Sequence, residues 1–340
     1  MHFLATNHYY YNLPFQIIIR ISSNYKMTLS KTTLQRTSIL VVSFLLLAAA
    51  SCKEKTNTSK VTDNKENTNA DAVAISTTKF GGLALYTVRD AMEVDTKATL
   101  KTIAETGYVN IEAAGYKDGT YYGMAPEDFK AFLAEVDLTP ISTHQSSVTI
   151  DNADEEMAAA KAAGFEYFVV PIPPMGLFNY DATTNTMSMT GGAENLANIL
   201  DELGKKATAA GLQLLYHNHD FEFKTDADGI VPIDYLLENC DPEFVNFQMD
   251  LFWVTKAGAD PLAYFEKYPG RFKMWHVKDM DTEGKFAPVG NGTIDFSRIL
   301  AKKEQSGMRY YMVEQDKTFT MEPLEAIKIS HEEIKKIGFQ

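Results

Sequence analysis

From residue 78 onward, the sequence alternates between short runs of β-branched and aromatic residues and longer stretches with helical spacing. Eight of these runs have the length and composition of buried parallel strands. They cover residues 82–87, 108–113, 139–144, 166–171, 212–217, 244–250, 272–277 and 310–315. Strands that alternate with helices form a parallel sheet with right-handed crossovers, so the sequence predicts an α/β protein.

Eight strand–helix units favour a closed barrel over an open sheet. They occupy roughly 260 residues, close to the typical (β/α)8 barrel size of about 250 residues. The alternative is a doubly wound open sheet, but no glycine-rich phosphate-binding turn follows the first run. Helix signals fall between the runs, among them Asp95, Gly107, Pro126 and Pro232. The sequence therefore predicts a (β/α)8 TIM barrel over residues 78–340.

The amino-terminal segment, residues 1–52, has the layout of an export signal. From Met27, a positively charged region precedes an apolar stretch at residues 38–50, which is too short for a membrane span. Small residues then lead directly into Cys52, a pattern that resembles a bacterial lipobox. By this resemblance Cys52 is the lipidated first residue of the mature chain, and Met27 is the true start. The alternative is a plain signal peptide with an incidental cysteine.

A polar linker follows the predicted signal. Residues 53–77 are rich in Lys, Thr, Asn and Asp and poor in large apolar residues, so we expect a flexible tether. The expected location is therefore outside the cytoplasm, on a lipid anchor that faces the periplasm or the cell surface. Cys240 follows an apolar helical stretch and is predicted to be a packed, small apolar residue.

The predicted barrel is strongly acidic. The whole chain carries a formal charge of −13, and the first 52 residues contain four cations and no acid, which leaves −17 for the remainder. Such a body repels phosphate backbones and anionic lipids, so we expect no nucleic-acid partner and membrane contact through the lipid alone. The sequence specifies no oligomeric state.

Polar residues gather where the predicted strands end. In barrels of this kind the active site is built at the carboxyl ends of the strands. Four of the five histidines beyond the linker occupy such positions, as do several acids and one lysine. The residues are Glu112, His144, His217, His219, Asp250, His276, Lys278, Glu314 and Asp316.

Strand parity groups four of these residues into a candidate metal site. Residues at i and i+2 face one side, so His217, Asp250, His276 and Glu314 can converge from four successive strands. A mixed nitrogen and oxygen set suits Mn²⁺, Zn²⁺, Co²⁺ or Fe²⁺ better than Ca²⁺, and Mg²⁺ is also a candidate. The alternatives are His219 as the fifth-strand ligand, or helix N-caps and ion pairs with Lys278 for the two acids.

Five ordered motifs resemble those of the xylose isomerase-like TIM-barrel superfamily of sugar and sugar-phosphate isomerases and epimerases. They are YHNHDFEF (216–223), QMDLFWVTKAGADP (248–261), MWHVKDMD (274–281), PVGNGTIDF (288–296) and YYMVEQD (310–316). The resemblance covers residues 80–338 and implies that Asp250, His276 and Glu314 bind one divalent metal ion. Members usually supply a glutamate from the fifth strand, where this chain has His217.

The implied chemistry needs a Lewis acid that polarises a carbonyl and a base that removes an acidic C–H proton. The candidate bases are Glu314, favoured with His144 as its partner, and Glu222. Lys278 is expected to steady the developing oxyanion. The candidate substrate contacts are Glu112, His219, Trp253 and Tyr116.

These patterns predict a metal-dependent isomerase, epimerase or related lyase that acts on a small carbohydrate. Export and the scarcity of basic residues at the strand ends favour substrates without phosphate. The alternative is a non-catalytic carbohydrate-binding lipoprotein on the same barrel, because the usual fifth-strand glutamate is missing. The segment at residues 175–192 is too long for a plain connection, so we expect a lid.

Overall fold

The structure is a computed structural model that describes residues 79–340 except residues 185, 227 and 228. The predicted leader, its lipidation site Cys52 and the linker lie outside the described residues, so they stay predictions. Within the described residues, no helix combines the length and the apolar character that are needed to cross a bilayer.

Eight parallel strands close into a barrel. Each strand pairs with its neighbours along the chain, and the eighth closes on the first. In chain order the strands are β1 Gly82–Ala84, β2 Asn110–Ala113, β3 Thr139–His144, β4 Tyr167–Val170, β5 Gln213–His217, β6 Val245–Asp250, β7 Phe272–Val277 and β8 Tyr310–Val313. All eight predicted runs correspond to these strands, so the predicted barrel is confirmed.

The described residues contain eleven α-helices, and they connect the strands. They are α1 Arg89–Val94, α2 Thr96–Thr106, α3 Pro126–Glu135, α4 Ala153–Ala162, α5 Ala193–Ala209, α6 Pro232–Asn239, α7 Leu251–Lys256, α8 Pro261–Lys267, α9 Phe296–Leu300, α10 Lys303–Ser306 and α11 Pro323–Ile337. Short 3-10 turns follow β1 and β5, at Leu85–Val88 and Phe221–Phe223. Cys240, directly after α6, is buried in the core as predicted.

The helix ends follow the predicted signals. Asp95 caps α2 by accepting a hydrogen bond of 3.0 Å from the Ala98 amide. Gly107 ends the same helix with a φ of 116°, in the left-handed region that favours glycine. Prolines occupy the first turns of α3, α6 and α8. Asp95 satisfies, and the prolines remove, backbone donors that the start of a helix leaves without partners.

β1 is shorter than predicted. It ends at Ala84, and the chain turns into the 3-10 segment instead of continuing as a strand to residue 87. The Thr87 hydroxyl accepts a hydrogen bond of 3.1 Å from the Gln315 amide. The backbone N–H of Gln315, beyond β8, is therefore satisfied by a side chain and not by strand pairing. The prediction of a strand over residues 82–87 is wrong for residues 85–87.

The barrel interior has an apolar lower layer beneath a polar upper layer. The lower layer is a buried cluster of Ala84, Ile141, Tyr167, Val169, Leu215, Met274 and Met312. His276 and Glu314 each lie two residues after a methionine of this cluster. Because residues at i and i+2 of a strand face the same side, the polar side chains stand above the apolar layer.

Three short antiparallel hairpins extend the loops after β2, β4 and β7. They pair Tyr116–Lys117 with Thr120–Tyr121, Phe178–Asp181 with Thr186–Met189, and Asp279–Met280 with Phe286–Ala287. The second hairpin lies within the predicted lid segment, and its Phe178 ring packs 6.0 Å from the Phe221 ring. The long loop therefore has secondary structure of its own, and its movement as a lid stays a prediction.

Candidate active site

The carboxyl ends of the strands bring most of the predicted site residues into the barrel mouth. His144, His217 and Asp250 are the last residues of β3, β5 and β6. His276 is the penultimate residue of β7, and Glu314 directly follows β8. All except the partly exposed His144 are buried, so their polar atoms must find partners within the site.

Asp250, His276 and Glu314 form a compact set of polar atoms, called the donor group below. Nδ1 of His276 lies 2.8 Å from Oε2 of Glu314 and 3.9 Å from Oδ2 of Asp250. One ligand atom from each residue lies within 4.8 Å of the others. Oδ1 of Asp250 caps α7 by accepting from the Trp253 amide at 2.9 Å. Oδ1 of Asp250 therefore serves as the predicted N-cap, while Oδ2 lies on the side of His276.

His217 approaches the donor group from β5. Its Nδ1 donates to Oε1 of Gln248 at 2.9 Å, so Nε2 carries the lone pair of the neutral ring. Nε2 lies 3.8 Å from Oδ2 of Asp250. Burial, followed by the neighbouring histidines, holds the pKa of His217 well below its usual value. The ring is therefore neutral, as a metal ligand must be.

Glu112 orients the histidines from β2. Its Oε1 accepts from Nε2 of His276 at 2.6 Å and lies 3.0 Å from Nε2 of His144. Its Oε2 accepts from the Gln248 amide at 2.6 Å and from the Ser142 hydroxyl at 2.7 Å. Burial alone would raise the pKa of Glu112, but His144 and His276 lower it. Glu112 is therefore an ionised carboxylate whose oxygens already face protein donors.

Lys278 lies between carboxylates at the edge of the donor group. Its Nζ is 2.7 Å from Oε2 of Glu314, 3.0 Å from Oδ2 of Asp250 and 2.7 Å from Oδ1 of Asp316. The side chain is only 2% exposed. Burial alone would lower the pKa of Lys278, but the three carboxylates outweigh burial and raise it. Lys278 is therefore a buried ammonium group.

The residues around Asp250 fit a divalent metal ion. Nε2 of His276 donates to Glu112 and Nδ1 of His217 donates to Gln248, while Nδ1 of His276 lies 2.8 Å from Oε2 of Glu314 and Nε2 of His217 lies 3.8 Å from Oδ2 of Asp250. Burial alone would lower the pKa of His276, but Glu112 and Glu314 raise it to about 10, so a metal ion would displace the proton on its Nδ1. Proteins commonly fix the tautomer of a metal-binding histidine in this way. Within the described residues, the buried Oδ2 of Asp250 forms no hydrogen bond, although Nζ of Lys278 lies 3.0 Å away as an ion-pair partner. Asp250, His276 and Glu314 form a donor set of the predicted mixed nitrogen and oxygen type, and His217 belongs to a second possible set with His144 and His276.

His219 and Trp253 line one side of the mouth. Their ring centroids are 5.4 Å apart, and Nζ of Lys278 lies 5.7 Å from the Trp253 ring. Burial lowers the pKa of His219 to about 3, so this ring is neutral. In the described part of the chain, Nδ1 of His219 and Nε1 of Trp253 have no hydrogen-bond partner. Both residues stand beside Lys278, where the sequence predicts substrate contacts.

Two predicted site residues, Glu222 and Tyr116, form their described contacts away from the donor group. Glu222 accepts hydrogen bonds from the Tyr216 hydroxyl at 2.7 Å and from the His219 amide at 2.8 Å. Tyr116 lies in the hairpin after β2, where its ring packs 5.0 Å from that of Tyr121. Among the described residues, no hydrogen bond or ion pair joins either side chain to the donor group. Glu222 therefore braces the loop after β5.

Sequence reasoning missed two parts of the mouth. The period-two pattern places Gln248 on the same side as Asp250 but says nothing of its bonds to Glu112 and the histidines. Phe286, in the hairpin after β7, lies 4.4 Å from the Phe252 ring and 5.7 Å from Nζ of Lys278. Its position depends on how this hairpin folds back over the mouth, which no local pattern signals.

Comparisons with known proteins agree with this fold. A family profile described as xylose isomerase-like TIM barrel matches residues 100–337. The inosose dehydratase of Lacticaseibacillus casei is 30% identical over 227 residues, which cover 57% of this chain and 75% of that protein. A sugar phosphate isomerase/epimerase from Parabacteroides distasonis ATCC 8503 has a crystal structure with a TM-score of 0.63 and 26% identity, covering 77% of this chain and 96% of that one. The IOLI protein, crystallised with a bound zinc atom, shares the fold with a TM-score of 0.58 at 15% identity, covering 76% and 97%.

Proposed function

Because the chain belongs to the xylose isomerase-like TIM-barrel family, we propose that it is a metal-dependent isomerase, epimerase or related lyase of a small carbohydrate. The reaction begins with removal of a proton from the carbon next to a carbonyl group. The observation that carries the proposal is the buried donor group beside the Lys278 ammonium. The inosose dehydratase relative and the isomerase/epimerase neighbour support the elimination and isomerisation branches respectively.

Asp250, His276, Glu314 and His217 would hold one divalent ion, which we expect to be Mn²⁺, Zn²⁺, Co²⁺, Fe²⁺ or Mg²⁺. When bound, such an ion supplies a Lewis acid that stabilises negative charge on a substrate oxygen. The chain's own contribution is to fix the ligand atoms in advance. Asp250 is held through its bond to α7, and the two histidines are held through Glu112 and Gln248.

Two groups are placed for proton transfer on different sides of His276. Glu314 lies at its Nδ1 edge, and the neighbouring Lys278 and His276 lower the pKa of Glu314 against the opposing effect of burial. Glu314 is therefore ionised, which is the protonation state that a base needs. The His144 ring stacks on the His276 ring with centroids 5.2 Å apart and is partly exposed at the mouth, and we propose it as the second proton-transfer group. We assign no proton transfer to Glu222.

Lys278 is placed to stabilise negative charge on the substrate. Its ammonium group is buried next to Glu314 and lies 5.7 Å from the ring centroids of both Trp253 and Phe286. A fixed cation in a water-poor site stabilises an oxyanion more strongly than the same cation in water. Trp253 and His219 are the proposed contacts for the carbohydrate itself, and they carry free polar atoms.

The location of the protein rests on the sequence alone. We propose export through the signal at residues 1–52, a lipid anchor on Cys52 and a flexible linker that ends before the barrel. Metabolic labelling of the full chain with a fatty-acid analogue tests the anchor, and Cys52→Ala should remove the label.

Metal content tests the site. Asp250→Asn and His276→Ala should each lower bound metal and turnover together, because each removes a ligand of the buried site. Asp260→Asn is a matched control, since Asp260 also caps a helix, accepting from the Leu262 amide at 3.0 Å, and lies in an exposed ion pair. Turnover that survives in a metal-free Asp250→Asn protein would contradict the mechanism.

Proton exchange tests the reaction class. In deuterium oxide, the enzyme should introduce deuterium next to the carbonyl of a keto-sugar or an inosose. The non-catalytic alternative predicts binding of the sugar without exchange. A panel of keto-sugars, inososes and keto-glycosides would then distinguish isomerisation from elimination by its products.

A further inference from the structure

Lys278 contacts two of the oxygens that would bind the metal. Its Nζ lies 3.0 Å from Oδ2 of Asp250 and 2.7 Å from Oε2 of Glu314, and both are donor-group atoms. A metal ion bonded to these oxygens would stand close to the ammonium, and like charges at short range in a buried site repel strongly. Ion and ammonium therefore act on the same pair of atoms.

The buried carboxylates need a cationic partner, and a side chain must supply it when no metal is bound. Asp250 is fully buried, and the side chain of Glu314 is 5% exposed. An ionised carboxylate without a partner in such a place costs several kcal/mol. Lys278 and His276 are the cations that face these oxygens among the described residues. Lys278 thus neutralises the donor group in the absence of metal.

Asp316 is a third carboxylate partner of the ammonium and lies outside the donor group. Its Oδ1 lies 2.7 Å from Nζ of Lys278, and its side chain is 24% exposed, compared with 2% for the lysine. Asp316 follows Glu314 by two residues, so it lies farther toward the mouth, and it is not a member of the donor group. An ammonium that leaves Asp250 and Glu314 can therefore keep a carboxylate partner.

We propose that Lys278 is an internal competitor of the metal ion: its ammonium holds the donor group together without metal and shifts onto Asp316 when the ion binds. This inference rests on the metal dependence in the proposed function. Asp316 favours metal binding because it stabilises the displaced ammonium. Lys278 also stays at the mouth after the shift, within reach of a substrate oxygen.

Zinc affinity measured on chelator-treated protein tests the competition. Lys278→Met should bind Zn²⁺ about tenfold more tightly than the wild type and should melt at a lower temperature without metal. Lys278→Gln, whose amide still forms hydrogen bonds, is measured in parallel in case Lys278→Met does not fold. Lys206→Met removes a partly exposed lysine paired with Asp154 and should change neither quantity.

A double-mutant cycle tests whether Asp316 affects zinc binding through its contact with Lys278 or through its charge alone. Asp316→Asn should weaken Zn²⁺ binding about threefold or more in the wild type and clearly less in Lys278→Met, because its partner is then absent. Equal effects of Asp316→Asn in both backgrounds would overturn the role of Asp316. Zinc affinity that is unchanged or weaker in both lysine variants would overturn the competition while the metal site stands. If no variant binds zinc or another divalent ion, the metal-dependent function fails together with this inference.

Discussion

At the scale of one residue, Glu222 shows how burial changes the pKa and the hydrogen bonding of a carboxyl group. The sequence places it a few positions after β5 and suggests a base. In the structure, both carboxyl oxygens of Glu222 accept hydrogen bonds behind the mouth, one from the Tyr216 hydroxyl and one from the His219 backbone amide. Burial is the largest influence and raises the pKa of Glu222 to about 7. A carboxyl group held in this way affects the stability of the fold, and its role as a base stays a prediction.

The raised pKa of Glu222 predicts a pH-dependent stability. The folded protein holds the Glu222 proton up to about pH 7, whereas the unfolded chain releases it near its ordinary value of 4.5. The unfolded state therefore binds fewer protons between these values, and the stability of the wild type falls as pH rises through this window. Relative to Glu222→Gln, the unfolding free energy should fall by up to about 3 kcal/mol from pH 4.5 to 7.

Chemical denaturation of both proteins across this pH range measures the difference. Glu243→Gln, which alters an exposed carboxylate, should keep the wild-type profile. Parallel profiles for the wild type and Glu222→Gln would show that the Glu222 pKa is not raised.

At the scale of elements, the loop after β7 is organised by one carboxylate. Oδ2 of Asp279 accepts from the amides of Gly290 and Gly292, each at 2.9 Å. Oδ1 accepts from Met280 and Ile294 at 2.8 and 3.2 Å. A Cβ at position 292 would collide with this carboxylate, which explains the glycine there. Asp279 thereby fixes the loop that carries Phe286 over the mouth.

Loss of this carboxylate should loosen the whole loop. Asp279→Ala leaves four amides without their acceptor, so we expect a loss of about 2–4 kcal/mol in unfolding free energy. Hydrogen exchange should also speed up between residues 280 and 294. Asp137→Asn removes the charge of an exposed acid that pairs with Lys79 on the surface, keeps a residue suited to its φ of 59° and should cost less than about 1 kcal/mol. An unchanged exchange rate in the loop would contradict this role.

At the scale of the molecule, the barrel closes within the described residues. β1 pairs with both β2 and β8 through Gly82 to Ala84. Directly before it, the Phe80 amide bonds to the Gly107 carbonyl at 2.9 Å, and the Phe80 ring packs 4.5 Å from the ring of His331 in α11. The residues directly before β1 therefore already contact the rest of the barrel.

Truncation tests this closure. A chain of residues 78–340 should fold and melt at the temperature of the full chain, because the closing contacts start at Lys79 and Phe80. Removal of residues up to 84 should abolish cooperative unfolding, because β2 and β8 would then expose unpaired strand edges. Calorimetry measures both, and a strong loss of stability in the first truncation would contradict the boundary.

The sequence by itself determined the elements and the strand ends at which the site forms. Strand runs, helix caps and the i, i+2 parity of His217, Asp250, His276 and Glu314 are local properties, readable within a few residues. Tertiary structure alone decided which polar atoms meet. Gln248 bonds to two histidines, Lys278 contacts Asp250 and Glu314, and Glu222 bonds to Tyr216 and the His219 amide instead. These outcomes depend on the closure and stagger of the barrel, which bring together residues far apart in the sequence.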